Sequence, residues 1–191
     1  KIEVDGIPIY KEEPVYFMFY KPKGVLSSAS DDKGRTVVTD YFKDVEQRVY
    51  PVGRLDYDTT GLLLLTNDGE LANRLMHPKY QVTKTYLATV LGEANKSLEK
   101  QLRQGIELDD GLAKADYAQI VDKHHGKTLV RLELHEGRKH VVRRMLKAAG
   151  YPVLQLVRTK IHTVQLGEQK PGTIRALTDH ELSSLYRAVE M

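Results

Sequence analysis

Apolar and polar positions alternate along this chain in blocks that read as short strands and helices. Val15–Tyr20 has the density of a strand, and Leu62–Leu65 is an unbroken leucine run. A run that short, bounded by Gly61 and by Asn67-Asp68-Gly69, predicts a strand buried on both faces with a turn after it. Asp68 or Asn67 is placed to cap a helix over Glu70–Met76, which His77-Pro78 would end. Thr83–Leu91 alternates as a strand, and Asn95–Gln104 reads as a helix stopped by Gly105. Ala115–Val121 and Thr128–His135 predict paired strands around His124-His125-Gly126. In Lys139–Ala149 the apolar residues Val141, Val142, Met145, Leu146 and Ala149 recur at helical spacing, and Gly150 is the stop. Val153–Ile161 predicts a further strand, and Thr178 with Glu181 forms a capping box for a terminal helix. Near the start, Ile2–Ile9 reads as a hairpin turning at Asp5-Gly6. Lys21–Gly34 is a Pro/Gly/Ser-rich loop, Val37–Phe42 is a short helix, and Glu93–Gly111 is a candidate separator of two lobes. Strands and helices mix without strict alternation, which favours an α+β class with a mixed, mainly antiparallel sheet over a doubly wound one.

Composition narrows the field. With 191 residues, 41% hydrophobic and 29% charged, the chain has enough material for a real core. No window approaches the roughly 18 continuous apolar residues of a membrane span, so no membrane partner is expected. With no cysteine, disulfides and thiolate chemistry are excluded, which fits a cytoplasmic location. The seven histidines are scattered without a ligand-like spacing, so no metal is expected, and no glycine pattern builds a phosphate loop or a dinucleotide site. The net charge of +3 is mild, but between Arg131 and Lys160 eight cations face only Glu133 and Glu136. Such a stripe reads either as a footprint for a polyanion or as a solvated helix face.

The candidate chemistry lies in Val52–Gly69, which sets Arg54, Asp56 and Asp58 just ahead of the leucine strand. A loop carboxylate beside a cation on a rigid strand is one way to build a reactive site. On spacing alone, two turn aspartates and a surface arginine explain the same residues.

Four ordered motifs carry a resemblance. Gly53-Arg54-Leu55-Asp56 with Thr60-Gly61-Leu62-Leu63-Leu64-Leu65-Thr66 and Asp68-Gly69, then Lys84-Thr85-Tyr86, then Glu136-Gly137-Arg138 through Val142-Arg143-Arg144-Met145 with Gly150-Tyr151-Pro152-Val153 and Leu156-Val157-Arg158, together with Tyr20-Lys21-Pro22-Lys23-Gly24, resemble the bacterial ribosomal RNA pseudouridine synthases of the RsuA type. The stretch Gly69–Pro78 is more similar to the large-subunit (RluB-like) members than to the small-subunit one. The resemblance covers the chain from about Val15 to the terminal helix. It implies a catalytic domain over residues 14–191, two lobes around a cleft, preceded by residues 1–13 as the tail of an S4-like RNA-binding module.

These enzymes break the bond between uracil N1 and ribose C1′, turn the base, and rejoin it through C5, without redox chemistry or cofactor. The resemblance assigns the nucleophile to Asp56, acting on a uridine extruded into a pocket. It also assigns a stacking ring to Tyr86 and an ion pair with Asp56 to Arg143, the cation offsetting desolvation of the carboxylate. Arg54, Lys21, Lys23, Arg138, Lys139, Arg144, Lys147 and Arg158 are the expected contacts to ribosomal RNA, for a protein acting as a monomer. His140 and Ile161-His162-Thr163-Val164 depart from the family pattern. Three rival readings stand beside this one. They are a non-catalytic ribosomal-RNA-binding assembly factor on the same fold, a synthase acting on 16S rather than 23S RNA, and a nucleosidase using Asp56 and Asp58 as a carboxylate pair.

Overall fold

A computed structural model describes residues 2–4, 7–9 and 12–191. Strands β1 (Ile2–Val4) and β2 (Ile7–Ile9) pair antiparallel. The expected turn at Asp5-Gly6 between them lies outside the described residues.

The leucine run is the axis of the remaining architecture. Strand β5 (Thr60–Thr66) is flanked by β3 (Tyr16–Lys21) on one side, and on the other by β4 (Tyr50–Val52) and β11 (Val153–Ile161) in succession. Beyond β11 follow β6 (Lys84–Leu91), β10 (Lys127–Leu134) and β9 (Tyr117–His124), and β13 (Ile174–Ala176) closes the far edge beside β3. The two-residue β12 (Val164–Gln165) pairs with the end of β11. Only β5 and β11 run parallel, so the sheet is mixed and mainly antiparallel, as the sequence pattern predicts. A separate hairpin joins β7 (Ile106–Leu108) to β8 (Gly111–Ala113).

Four helices cover the sheet. In α1 (Gly69–Met76) the cap is Asp68, whose carboxylate accepts from the Leu71 amide at 3.1 Å, while Asn67 accepts from the Val15 amide. Asn95 caps α2 (Lys96–Gln104), and Thr178 with Glu181 forms the expected box at α4 (Asp179–Ala188). Helix α3 (Val141–Ala148) starts later than its periodicity suggests, because His140 takes a left-handed conformation (φ 56°) that no α-helix accommodates.

Both faces of β5 are buried, which explains a leucine run with no polar alternation. Leu62 and Leu64 pack with Met18, α1 and α4, whereas Leu63 and Leu65 pack with Phe19, Val25, Val38 and Phe42. A third cluster joins β6, β10 and β11 to α2 and α3 through Ala88, Val130, Leu132, Leu98, Leu102, Met145 and Leu146. Glu93–Gly111 is therefore no separator. Leu98 and Leu102 are fully buried in the third cluster, with Ile106 and Leu108 packed against it. The amphipathic spacing of α2 draws it onto the sheet, which joins this segment to the core.

Candidate active site

The site is built on one row of residues crossing the sheet. Lys21 opposes Gly61, Gly61 opposes Arg158, Arg158 opposes Tyr86, and Tyr86 opposes Leu132. Directly opposed residues on neighbouring strands project to the same face. The row thus carries a lysine, an empty position, an arginine and a tyrosine, beside a same-face row of Phe19, Leu63, Leu156 and Ala88. Gly61 is required there. Its φ is +114°, and a Cβ would stand 2.2 Å from the Arg158 carbonyl oxygen and 2.7 Å from the Arg158 nitrogen.

The Asp56 loop lies directly ahead of this row in the chain and is fastened from several elements. Ser27 Oγ donates to the Leu55 carbonyl at 2.7 Å and accepts from the Leu55 amide at 2.9 Å. The Tyr57 carbonyl accepts from the Gly24 amide at 3.0 Å and from Lys21 Nζ at 3.4 Å. A turn closes through the Thr59 amide to the Asp56 carbonyl at 3.0 Å. From the third motif, Arg143 Nη2 donates to the Asp58 carbonyl at 3.1 Å and the Thr59 hydroxyl at 3.3 Å. A carboxylate held on such a loop pays little ordering cost when a ligand arrives.

The side chain of Asp56 is 30% exposed, and the imidazole of His140 faces it, with Nε2 3.2 Å from Oδ1, a contact that is an ion pair when the ring is protonated. Arg143 makes no ion pair with Asp56; it grips the backbone two residues on instead. Its helix brings it to the expected loop, but its Nη2 is spent on the Asp58 carbonyl and the Thr59 hydroxyl. His140 reaches the carboxylate from the left-handed residue ahead of α3, a conformation costing ~1–2 kcal/mol for a residue with a Cβ. That strain aims the imidazole at Asp56. No local pattern in the sequence signals this, because His140 stands outside α3 and reaches Asp56 only through its left-handed turn.

Several expected RNA contacts prove to be internal. Lys21 is fully buried, and its ammonium donates to the carbonyls of Pro22, Val25 and Tyr57. Burial lowers its pKa to about 8, against the attraction of Asp56 and Asp58. It fastens the loop and cannot reach RNA backbone. Arg158 is 4% exposed and donates from Nε to the Leu62 carbonyl at 2.8 Å, so it too is no surface contact. The physical reason is common to both: each long side chain is buried by the sheet and ends on backbone carbonyls, those of Pro22, Val25 and Tyr57 for Lys21 and that of Leu62 for Arg158. Arg138 and Arg144 are turned to Asp110, at 3.1 and 2.8 Å, with Arg138 also on Glu136 at 2.7 Å. They bind the β7–β8 turn to the entry of α3. Arg54, Lys23, Lys139 and Lys147 are exposed and have no ion-pair partner among the described residues. Tyr86 is partly buried against the third core cluster.

A polar depression of about 460 Å³ lies elsewhere, lined by Gln81, Thr83, Thr85, Asp116, Glu133, His135 and His162. Thr83 and Thr85 alternate along the chain with Lys84 and Tyr86, so this depression opens on the other side of β6. Its acids are engaged, Asp116 by His135 and Glu133 by Thr85. Among the described residues no group of three or more His, Asp or Glu could hold a metal, and no helix is long and apolar enough to cross a membrane.

The family model described as RNA pseudouridylate synthase matches residues 15–148. The chain belongs to the RNA pseudouridylate synthase family. Within it, the chain is 51% identical over 187 residues to the ribosomal large subunit pseudouridine synthase B of Bacillus subtilis, covering 97% of this chain and 77% of that protein. It is 53% identical over 195 residues to an uncharacterized RNA pseudouridine synthase of Mycobacterium leprae, covering 98% and 75%. Among solved structures, a crystal structure of a pseudouridylate synthase superposes with a TM-score of 0.81 at 35% identity, over 92% of this chain and 75% of that one. An archaeal box H/ACA Nop10–Cbf5 complex shares the fold alone, with a TM-score of 0.56 at 16% identity over 77% of this chain and 47% of that one. The fold is thus shared at low sequence identity.

Proposed function

We propose that this pseudouridine synthase isomerises uridine in large-subunit ribosomal RNA, with Asp56 as the nucleophile toward the sugar of an everted nucleotide. The observation that carries the reading is the Asp56 carboxylate: it is partly exposed, it sits on a loop fastened from β3, Ser27 and α3, and it has His140 at 3.2 Å. A group that attacks carbon must be ionised when substrate covers it, and a positive neighbour offsets that desolvation. The buried Lys21 ammonium supplies a positive charge that attracts the Asp56 carboxylate. Tyr86, two residues beyond Lys84 in the second motif, supplies the ring against which the base stacks. Exposed Arg54, Lys23, Lys139 and Lys147 supply the contacts to RNA backbone, which weaken with salt. The isomerisation is redox-neutral and needs no cofactor. We assign the protein to the cytoplasm, acting as a monomer, and read residues 1–13 as the tail of an S4-like module.

Asp56→Asn tests the assignment. Replacing the carboxylate by its amide keeps the shape and removes the nucleophile. Tritium release from C5-labelled uridine in ribosomal RNA is expected to vanish while RNA binding stays within about threefold. Turnover by the Asn variant would remove Asp56 from the role. Modification confined to small-subunit RNA would move the substrate to 16S.

A further inference from the structure

Around the Arg158–Tyr86 end of the row there is more positive charge than the nearby acids answer. Arg158 uses Nε on the Leu62 carbonyl, and its Nη2 is buried without a hydrogen-bond partner among the described residues. Lys84 lies two residues before Tyr86 on β6, and so projects to the side of the strand that Tyr86 occupies. Its ammonium is held below the ordinary lysine range, first by burial and then by the positive charge of Arg158. Among the described residues no carboxylate forms an ion pair with either group. The acids and other charges around them are otherwise committed. Glu133 accepts from the Thr85 hydroxyl on the alternate side of β6, Asp56 is held by His140, and Asp56 and Asp58 act on Lys21 at the other end of the row. Two neighbouring cations drawn out of water without an anion are costly unless something completes them.

We propose that Lys84 and Arg158 form an anion receptor beside Tyr86 that takes a backbone phosphate of the bound RNA next to the everted uridine. The inference rests on the RNA-modifying reading above. Lys84, the more exposed of the two, makes the contact, and the Arg158 guanidinium, fixed to β5, stands behind it as the second charge. A phosphodiester matches the pair because it brings one full negative charge and several acceptor oxygens. Fixing it beside Tyr86 sets where the sugar of the turned-out nucleotide lies relative to Asp56. This contact differs from those of Lys139 and Lys147, whose exposed side chains follow the RNA rather than orient it.

The test uses full-length protein and a ribosomal RNA fragment bearing the mapped target uridine. The phosphate on each side of that uridine is replaced in turn by an uncharged methylphosphonate. Binding is measured across a salt series for wild type and for Lys84→Gln. Loss of one charge-assisted contact should weaken binding about tenfold and lower the slope of log Kd against log salt by about 0.7–0.9. One methylphosphonate should weaken the wild type by a similar factor and have no further effect on Lys84→Gln. An unchanged salt slope, with both methylphosphonates acting additively on the variant, would mean that Lys84 is structural and would overturn the receptor. Arg158→Lys, which keeps the charge, should retain the sensitive phosphate position that Lys84→Gln loses; loss of that position would overturn the role of Arg158. These readouts need binding and no turnover. A wild type that binds as described but forms no pseudouridine would therefore refute the enzymatic assignment and leave the receptor standing.

Discussion

Gly61→Ala places a methyl group where β5 and β11 pair in parallel. The added Cβ would lie 2.2 Å from the Arg158 carbonyl oxygen, 2.7 Å from its nitrogen and 2.9 Å from its carbonyl carbon. All three are backbone atoms of a strand paired on its other edge with β6, so no side-chain rotation relieves the clash. The backbone conformation adds its own cost, since φ is +114°. Overpacking in a dense interior costs ~1–3 kcal/mol and the positive φ ~1–2 kcal/mol. The sum, ~2–5 kcal/mol, is a large part of the ~5–15 kcal/mol stability of a domain. Gly126→Ala is the control, because its φ is +75° and nothing lies within 4 Å of the added carbon. Urea unfolding at constant m should therefore show Gly61→Ala losing several kcal/mol and Gly126→Ala only the backbone share, ~1–2 kcal/mol. Where Gly61→Ala remains folded, β11 must have shifted, carrying Arg158 relative to Asp56 and Tyr86. A misplacement of ~1 Å is enough to lower the rate about a hundredfold. Equal losses in the two alanine variants would refute the steric argument, and full activity in a stable Gly61→Ala would refute the role of the row.

Three further outcomes follow from the geometry. His140→Ala should leave thermal stability nearly unchanged, because an exposed pair is worth ~0–1 kcal/mol, yet lower single-turnover pseudouridine formation severalfold by freeing Asp56; unchanged turnover would remove His140 from the site. Asp110→Ala releases Arg138 and Arg144 together, so amide exchange should accelerate in the β7–β8 hairpin and at the entry of α3 while β5 stays protected. Glu181 is held down to about 2, first by its hydrogen bonds from Arg175; its stabilising effect is complete above the ordinary value of 4.5 and is lost as pH falls through about 2. Glu181→Gln should therefore melt lower than wild type at neutral pH, the gap closing toward pH 2; a gap independent of pH would contradict the linkage.

The sequence was most legible where one local rule decided the outcome. The leucine run, the Asp68 and Thr178 caps, the strand Val153–Ile161 and the loop position of Asp56 all follow from local pattern and turn chemistry. The short strands β4, β12 and β13 escaped, because two or three residues carry no period and form only where a long neighbour offers an unpaired edge. The β7–β8 hairpin escaped for a different reason: its fixity comes from Asp110 meeting two arginines roughly thirty residues away. In the site, the sequence reading set Lys21, Arg138, Arg144 and Arg158 to face RNA along with the exposed cations. It could not separate Lys139, on an exposed turn, from Lys21 and Arg158, which the sheet buries. That distinction needs strand pairing, which is non-local. The same limit let Arg143 stand for the partner of Asp56, since only the left-handed turn at residue 140 brings the imidazole in ahead of the guanidinium.

The cluster behind β5 is completed by the last helix. Tyr186 and Tyr16 both donate to the Asp68 carboxylate, and Leu185 is fully buried beside Met18 and Leu64. Segments more than a hundred residues apart thus share one carboxylate and one apolar cluster, so the face of β5 turned toward α4 forms only through contacts of high sequence separation, the kind that slow folding.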